Sequence, residues 1–235
     1  MKENIFTFWE GQMPEYIKLC MKTWKFPYVV LNYDNLHNYT NINIKPLKRF
    51  TLPQIADYIR VHVLRDNGGY WFDTDTIMIT GNLPKTNMIG DVEARTNTIG
   101  YLYADTPHMQ MFDEWAKYQD AVAINLFNSP QRWSIMGNDF TDKYVQEHLE
   151  ITIGQVDYCW PEVYMISGDI PRYKKYEEFY FNRSYLMEDL FPTDMLMLHN
   201  SWTPDNYKKL SEKEIFHTDC TMTNILKYAL GDDKN

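Results

Sequence analysis

Cysteine is scarce in this chain: Cys20, Cys159 and Cys220 are the only three among 235 residues. They are odd in number, far apart and outside any CxxC or Cys/His spacing. That argues against a disulfide framework or structural zinc and points to a reducing compartment. Glycine and proline number 10 and 11, too few for a collagen-like or low-complexity chain. No segment approaches the roughly 18 uninterrupted apolar residues of a membrane-spanning helix. The opening MKENIFTFWEGQMP lacks the apolar run of a signal peptide and is broken by Glu3 and Glu10. A cytoplasmic protein with no integral membrane association is expected. Positive charge is also short, 23 Lys and Arg against 32 Asp and Glu for a net −9. Strong non-specific binding to nucleic acid or an anionic membrane needs a basic surface and is disfavoured.

What the chain has is apolar and aromatic mass, 44% hydrophobic and 16% aromatic residues. Its length suits one large domain, or two tightly fused halves, with a substantial core. Asn4 to Trp9 reads as a buried strand, Pro14 to Trp24 as a helix and Tyr28 to Tyr33 as a second strand. The most legible segment follows. Thr51 caps a helix with Pro53 in its first turn, and Leu52, Ile55, Ala56, Ile59 and Val63 form its apolar stripe. Asn67-Gly68-Gly69 ends it. Tyr70-Trp71-Phe72 enters a strand cut by Asp73-Thr74-Asp75 and resumed at Ile77-Met78-Ile79. Further strands are expected from Met88 and Asn97 and near Tyr164 and Met195. Helices are expected at 109–119, 139–148 and 223–229. The alternation predicts an α/β fold.

Asp73 and Asp75 carry the first chemical signal. On extended backbone, side chains two apart leave one face, roughly 7 Å from each other. Two such carboxylates repel, and a shared divalent cation relieves the repulsion. Oxygen ligands suit Mg²⁺ or Mn²⁺. A DxD triplet alone is a common feature of polar turns, but the aromatic strand before it places these acids at a cleft edge. Upstream, Asp57 and Arg60 share a helix face at i,i+3. Taken alone, they read as a surface ion pair, which contributes well under about 1 kcal/mol.

The run Ala56-Asp57-Tyr58-Ile59-Arg60, Val63-Leu64, Asn67-Gly68-Gly69-Tyr70 and Asp73-Thr74-Asp75 resembles the core of retaining DxD glycosyltransferases. The likeness is to family 32, with its capsular-polysaccharide and mannosyl-transferring enzymes, and to the catalytic core of clostridial glucosylating toxins. Phe6-Thr7-Phe8-Trp9-Glu10-Gly11 resembles the family's opening strand, and Leu198-His199-Asn200-Ser201-Trp202 its closing loop, two residues shorter. Weaker echoes lie at Asn97, at 104–108 and at 137–141, where Asp139 is equally suited to cap a helix.

The resemblance implies a GT-A-like single domain with a central, mostly parallel sheet flanked by helices. Residues 1–100 would form the nucleotide-sugar half and 101–235 the acceptor half. It implies a UDP-hexose donor and retention of anomeric configuration, with the leaving phosphate deprotonating the acceptor on the same face. Asp57, Arg60, Asp73 and Asp75 would be the catalytic set. Phe8, Trp9, Asp57, Arg60, Asp73, Thr74, Ser201 and Trp202 would line the donor, with Trp9 on the base. Asp73, Asp75 and either His199 or Asn200 would hold Mn²⁺ or Mg²⁺. The acceptor is a saccharide or, given the basic clusters Lys45/Lys48/Arg49 and Arg172/Lys174/Lys175, a modified DNA base. Two other classes compete: a phosphoesterase recruiting His62, His199 or Asp139 to a second metal, and a non-catalytic sugar-binding module.

Overall fold

The computed structural model describes residues 4–91, 96–125, 132–154, 160–190 and 193–231. Cys159 lies outside the described residues, whereas Cys20 and Cys220 are buried free thiols. The strands are β1 (Ile5–Phe8), β2 (Tyr28–Leu31), β3 (Gly69–Phe72), β4 (Thr76–Met78), β5 (Met88–Asp91), β6 (Thr96–Ala104), β7 (Ile153–Gly154) and β8 (Met195–Met197). The α-helices are α1 (Glu15–Lys22), α2 (Leu52–Asn67), α3 (Gln110–Asn125), α4 (Asn138–Glu147), α5 (Glu162–Met165), α6 (Arg172–Glu177), α7 (Asp205–Lys208), α8 (Glu212–His217) and α9 (Thr221–Leu230). Among the described residues, no helix is long and apolar enough to cross a membrane.

Two compact units alternate along the chain. The first comprises Met1–Glu10, Phe26–Asp73 and Pro84–Gln155; the second comprises Gly11–Lys25, Thr74–Leu83 and Val156–Asn235. The chain therefore passes from one unit to the other inside the Asp73-Thr74-Asp75 triplet.

The first unit is built on a sheet of order β2-β1-β3-β6-β5-β7. The β1–β2, β1–β3 and β5–β7 ladders are parallel, and the β3–β6 and β5–β6 ladders antiparallel. This is the expected α/β class with a mainly parallel central sheet. Helix α2 packs on β1, β3 and β6, and α4 on β6. One continuous core joins Phe6, Ile59, Val63, Trp71, Leu102 and Trp115.

Helix α2 begins where the sequence says. Gln54 Oε1 accepts from the Thr51 N–H at 3.0 Å and from its hydroxyl at 2.9 Å, and Pro53 sits in the first turn, where a missing N–H is harmless. The predicted apolar stripe is too narrow. Leu52 is exposed, while Tyr58, Val61, His62 and Leu64 are buried beside Ile55, Ile59 and Val63. The helix is covered by the sheet on one side and by α3 on another, so a one-stripe pattern underestimates its burial.

The helix ends at Gly68, with φ +67°, and Gly69 follows at φ +88°, where only glycine is unstrained. A Cβ on Gly69 would lie 2.7 Å from the Asn4 carbonyl oxygen, which also accepts the Tyr70 N–H at 3.0 Å. Backbone, not a yielding side chain, blocks the space. Gly69→Ala is expected to destabilise by about 2–4 kcal/mol, visible as a lower denaturation midpoint in urea; an unchanged midpoint would contradict this geometry.

His62 illustrates the cost of that burial. Its ring lies 4.1 Å from the Tyr58 ring, and among the described residues neither nitrogen has a hydrogen-bond partner, with Asp120 an acid at 3.5 Å. Burial, opposed by Asp120, lowers its pKa to about 4. An unfolded imidazole protonates near pH 6.5. Between those values the unfolded chain binds the extra proton, so stability falls as pH falls. Wild type is expected to lose on the order of 2–3 kcal/mol more than His62→Phe between pH 6.5 and 4. Parallel stability–pH curves for the two proteins would refute it.

The second unit holds the antiparallel β4–β8 pair, with Thr76 opposite Met197 and Met78 opposite Met195. Helix α1 packs on β4, α8 and α9 through a face containing Tyr16, Ile17, Leu19 and Cys20. The Trp24 indole donates to the Thr76 carbonyl at 2.8 Å, and the Thr23 hydroxyl accepts the Met78 N–H at 2.8 Å. Two expectations fail here and in the first unit. The strand near Tyr164 is instead helix α5, for which Pro161 supplies the N-cap. Asp139 does not cap α4, because Gly137 occupies that position and Asp139 stands in the first turn, held by Arg132 and Ser134.

Candidate functional site

In the first unit, α2 and β3 bring Asp57, Arg60 and Asp73 together. Arg60 Nη2 lies 2.8 Å from Asp57 Oδ1 and 3.0 Å from Asp73 Oδ1. Nη1 donates to the Ile99 carbonyl, and the guanidinium stands 5.2 Å over the Trp71 ring. Arg60 is 4% exposed and Asp57 7%, so the surface ion pair expected from spacing alone is a buried one. The apolar neighbours that α2 gains from both sides explain the difference.

Asp73 stands at the end of β3, anchored by its N–H to the Gly100 carbonyl at 2.8 Å. The Trp71 indole donates to Asp73 Oδ1 at 3.0 Å. Its side chain is 39% exposed, and Oδ2 takes no hydrogen bond from the described residues. One carboxylate oxygen is thus fixed and the other left open. Burial raises the Asp57 pKa to about 7, with Arg60 opposing and Asp73 reinforcing the shift. A carboxyl held near neutrality can both accept from and donate to a sugar hydroxyl.

Two of the three weak sequence echoes, at Asn97 and at 137–141, meet this array, and so does Gln119. A Cβ on Gly137 would lie 3.5 Å from Asp57 Oδ2, and Asn138 Nδ2 donates to the Asn97 carbonyl at 3.1 Å. Gln119, fully buried on α3, donates to the Asp57 carbonyl at 2.9 Å and to the Met136 carbonyl at 2.6 Å. The Trp115 indole reaches the same Met136 oxygen at 3.1 Å. Nothing in a one-dimensional pattern singles out Gln119. By contrast, 104–108 lies at the far end of α2, where the His108 N–H donates to the Arg65 carbonyl at 2.7 Å.

The strand-face argument for the acid pair does not hold. Strand β3 ends at Phe72, and Thr74 and Asp75 form a turn, because here the chain leaves one sheet for the other. In the second unit the β4–β8 ladder continues past its last pair: the Leu198 N–H donates to the Asp75 carbonyl at 3.2 Å, and the Asn200 N–H to Asp75 Oδ2 at 2.7 Å. Pairing register therefore delivers the 198–202 loop to the second acid. The Tyr16 hydroxyl donates to Asn200 Oδ1; burial and then Asp75 push its pKa far up, so it stays a donor.

Of the two residues considered for this position, Asn200 is the one in contact with Asp75. The His199 ring instead lies 4.0 Å from the Trp202 ring and 6.2 Å from that of Trp160. Burial, aided by Arg172, lowers the His199 pKa to about 4, leaving a neutral imidazole with Nε2 unpartnered. Ser201 is exposed, Thr74 buried and Trp202 half-buried. Phe8 is a core side chain edged against Tyr33 at 5.5 Å. Trp9 is half-buried just past β1, its N–H on the Leu31 carbonyl at 2.9 Å and its indole nitrogen unpartnered.

Among the described residues, no three His, Cys, Asp or Glu side chains gather as a metal cluster. Asp73 and Asp75 each offer carboxylate oxygens, the donor type that suits a hard divalent cation.

The sequence profile of the capsular polysaccharide synthesis protein family matches residues 1–158. Among solved structures, a PaToxG glycosyltransferase is 15% identical, with 63% of this chain and 70% of that one covered at a TM-score of 0.39. No curated protein matches the chain.

Proposed function

The chain belongs to the capsular polysaccharide synthesis protein family, and we propose that it is a cytoplasmic, metal-dependent retaining glycosyltransferase. It would move a hexose from a UDP-sugar to a hydroxyl of an acceptor saccharide. The Asp57–Arg60–Asp73 array, with Asp57 and Arg60 buried, carries this reading. A surface ion pair would leave all three groups solvated, whereas this arginine is desolvated and orients two carboxylates of different exposure.

In the proposed reaction the acceptor oxygen bonds to C1 of the hexose as the bond from C1 to the diphosphate breaks. The acceptor proton passes to the departing phosphate oxygen, on the same face of the ring. Asp57 would hold the sugar hydroxyls. Arg60, with both terminal amines spent, fits a positioning residue that fixes Asp73 Oδ1 and leaves Oδ2 outward. We assign Mn²⁺ or Mg²⁺ to Asp73 and Asp75, with the buried, neutral His199 Nε2 as a candidate third ligand; when bound, the cation would supply Lewis-acid charge at the diphosphate. Trp9, with its half-buried ring, would take the base.

Two observations favour this reading over its competitors. Asp139 is tied to Arg132 and Ser134, so one of the ligands a second metal would need is committed elsewhere. One residue of each basic cluster is engaged within the protein, Arg49 by the Ala123 carbonyl and Lys174 by Glu177 at 3.0 Å, and the net charge of −9 favours a saccharide over DNA. The test is a panel of nucleotide sugars with Mn²⁺ or EDTA, followed by phosphorus NMR. Cation-dependent release of UDP is expected. Release of UMP and a sugar phosphate would identify a phosphoesterase instead.

A further inference from the structure

Arginines in this protein generally spend their amines on the fold. Arg49 donates to the Ala123 carbonyl and Arg60 to that of Ile99. Arg172, at the start of α6, does not. Its guanidinium stands 4.5 Å over the Trp160 ring and 5.8 Å over that of Trp202. Among the described residues its ionic partner is Glu162, whose Oε1 lies 3.5 Å from Nε, too far for a good hydrogen bond. The terminal amines donate to none of the described residues, and the side chain is 40% exposed.

The support beneath it is unusual. Glu162 is fully buried, and neither carboxylate oxygen has a hydrogen-bond partner among the described residues. Such a group is costly to bury and persists only where something offsets the cost. Burial, opposed by Arg172, raises its pKa to about 7, so the pair carries net positive charge for part of the time at neutral pH. The Trp160 indole N–H is also buried and has no hydrogen-bond partner among the described residues. A planar fork held between two indoles, with donors unspent and charge only partly cancelled, suits a phosphate oxyanion.

We propose that Arg172, clamped by Trp160 and Trp202 and steadied from beneath by Glu162, binds the diphosphate of the nucleotide donor. The inference rests on the transferase reading, in which the loop carrying Trp202 closes on that donor. It adds a cation that neither the DxD triplet nor the closing loop supplies. Arg172 is then a binding residue, and Glu162 a positioning residue acting through it.

Isothermal titration of wild type, Arg172→Gln and Arg172→Lys with UDP, inorganic pyrophosphate and uridine, all in Mg²⁺, tests this. Arg172→Gln is expected to weaken UDP and pyrophosphate by about 10–100-fold and to leave uridine unchanged. Arg172→Lys should fall between, since it keeps the charge but loses the fork. Equal weakening of UDP and uridine would mark a structural role and overturn the proposal. UDP binding alike in wild type and Arg172→Gln would remove Arg172 but leave the transferase reading standing. Wild type that binds none of the three would remove both.

Discussion

Arg60→Met is expected to abolish transfer and to lower the thermal midpoint by about 6–20 °C. The stability loss follows from burial. Asp57 sits 2.8 Å from the guanidinium in a nearly dry environment, and breaking such a pair from one side costs about 3–5 kcal/mol. At about 2–4 °C per kcal/mol for a domain of this size, the shift is large. Asp73 adds little to that figure, because its exposed side chain remains hydrated. Its contribution appears in activity, where Oδ1 loses the arginine that fixes it. The double variant Asp57→Leu/Arg60→Met separates the effects. Removing both charges should restore most of the lost stability and none of the transfer. Activity retained by Arg60→Met, or restored by the double variant, would show that the array only holds the fold together.

Asp75→Asn should do the reverse, removing turnover while sparing the fold. Asp75 Oδ2 accepts the Asn200 N–H at 2.7 Å, and an asparagine carbonyl oxygen can accept the same bond. The change therefore preserves the meeting of the β4 turn with the 198–202 loop, and stability should move by about 1 kcal/mol or less. What disappears is the charge. A cation bridging a diphosphate contributes several kcal/mol to the transition state, and losing about half of that is roughly 100-fold in rate. Turnover should fall by about that factor or more, and added Mn²⁺ should no longer stimulate it. A variant that turns over within about threefold of wild type would remove Asp75 from the chemistry.

The parts of this site that were legible in the sequence are those fixed by local rules. Thr51, Pro53 and Gly68 bound α2 because caps, first-turn proline and left-handed glycine act within a few residues. Trp71 and Phe72 marked a buried strand, and buried they are. The burial of Asp57 and Arg60 was not legible, since it depends on α3 and the sheet closing over α2 from separate parts of the chain. Neither was the contact of Asn200 with Asp75, which depends on a ladder joining residues more than a hundred positions apart. The reading of Asp73 and Asp75 as one strand face failed because periodicity does not reveal a change of sheet. Tyr164 was misread because Val163, Tyr164 and Ile166 look extended, while Pro161 starts a helix turn beneath them. Arg172, Trp160 and Glu162 carry no motif spacing and come together only through tertiary packing.

The central claim is that the protein binds a nucleoside diphosphate through a divalent cation at Asp73 and Asp75. The most direct measurement is thermal unfolding with UDP, in Mn²⁺ and in EDTA, on wild type and Asp75→Asn. A ligand at about 100 times its Kd stabilises by about 2.7 kcal/mol, a shift of about 5–11 °C here. The predicted result is that shift in wild type with Mn²⁺, lost in EDTA and lost in Asp75→Asn. A UDP shift of equal size in all conditions, or no shift from UDP in wild type with Mn²⁺, would contradict the claim.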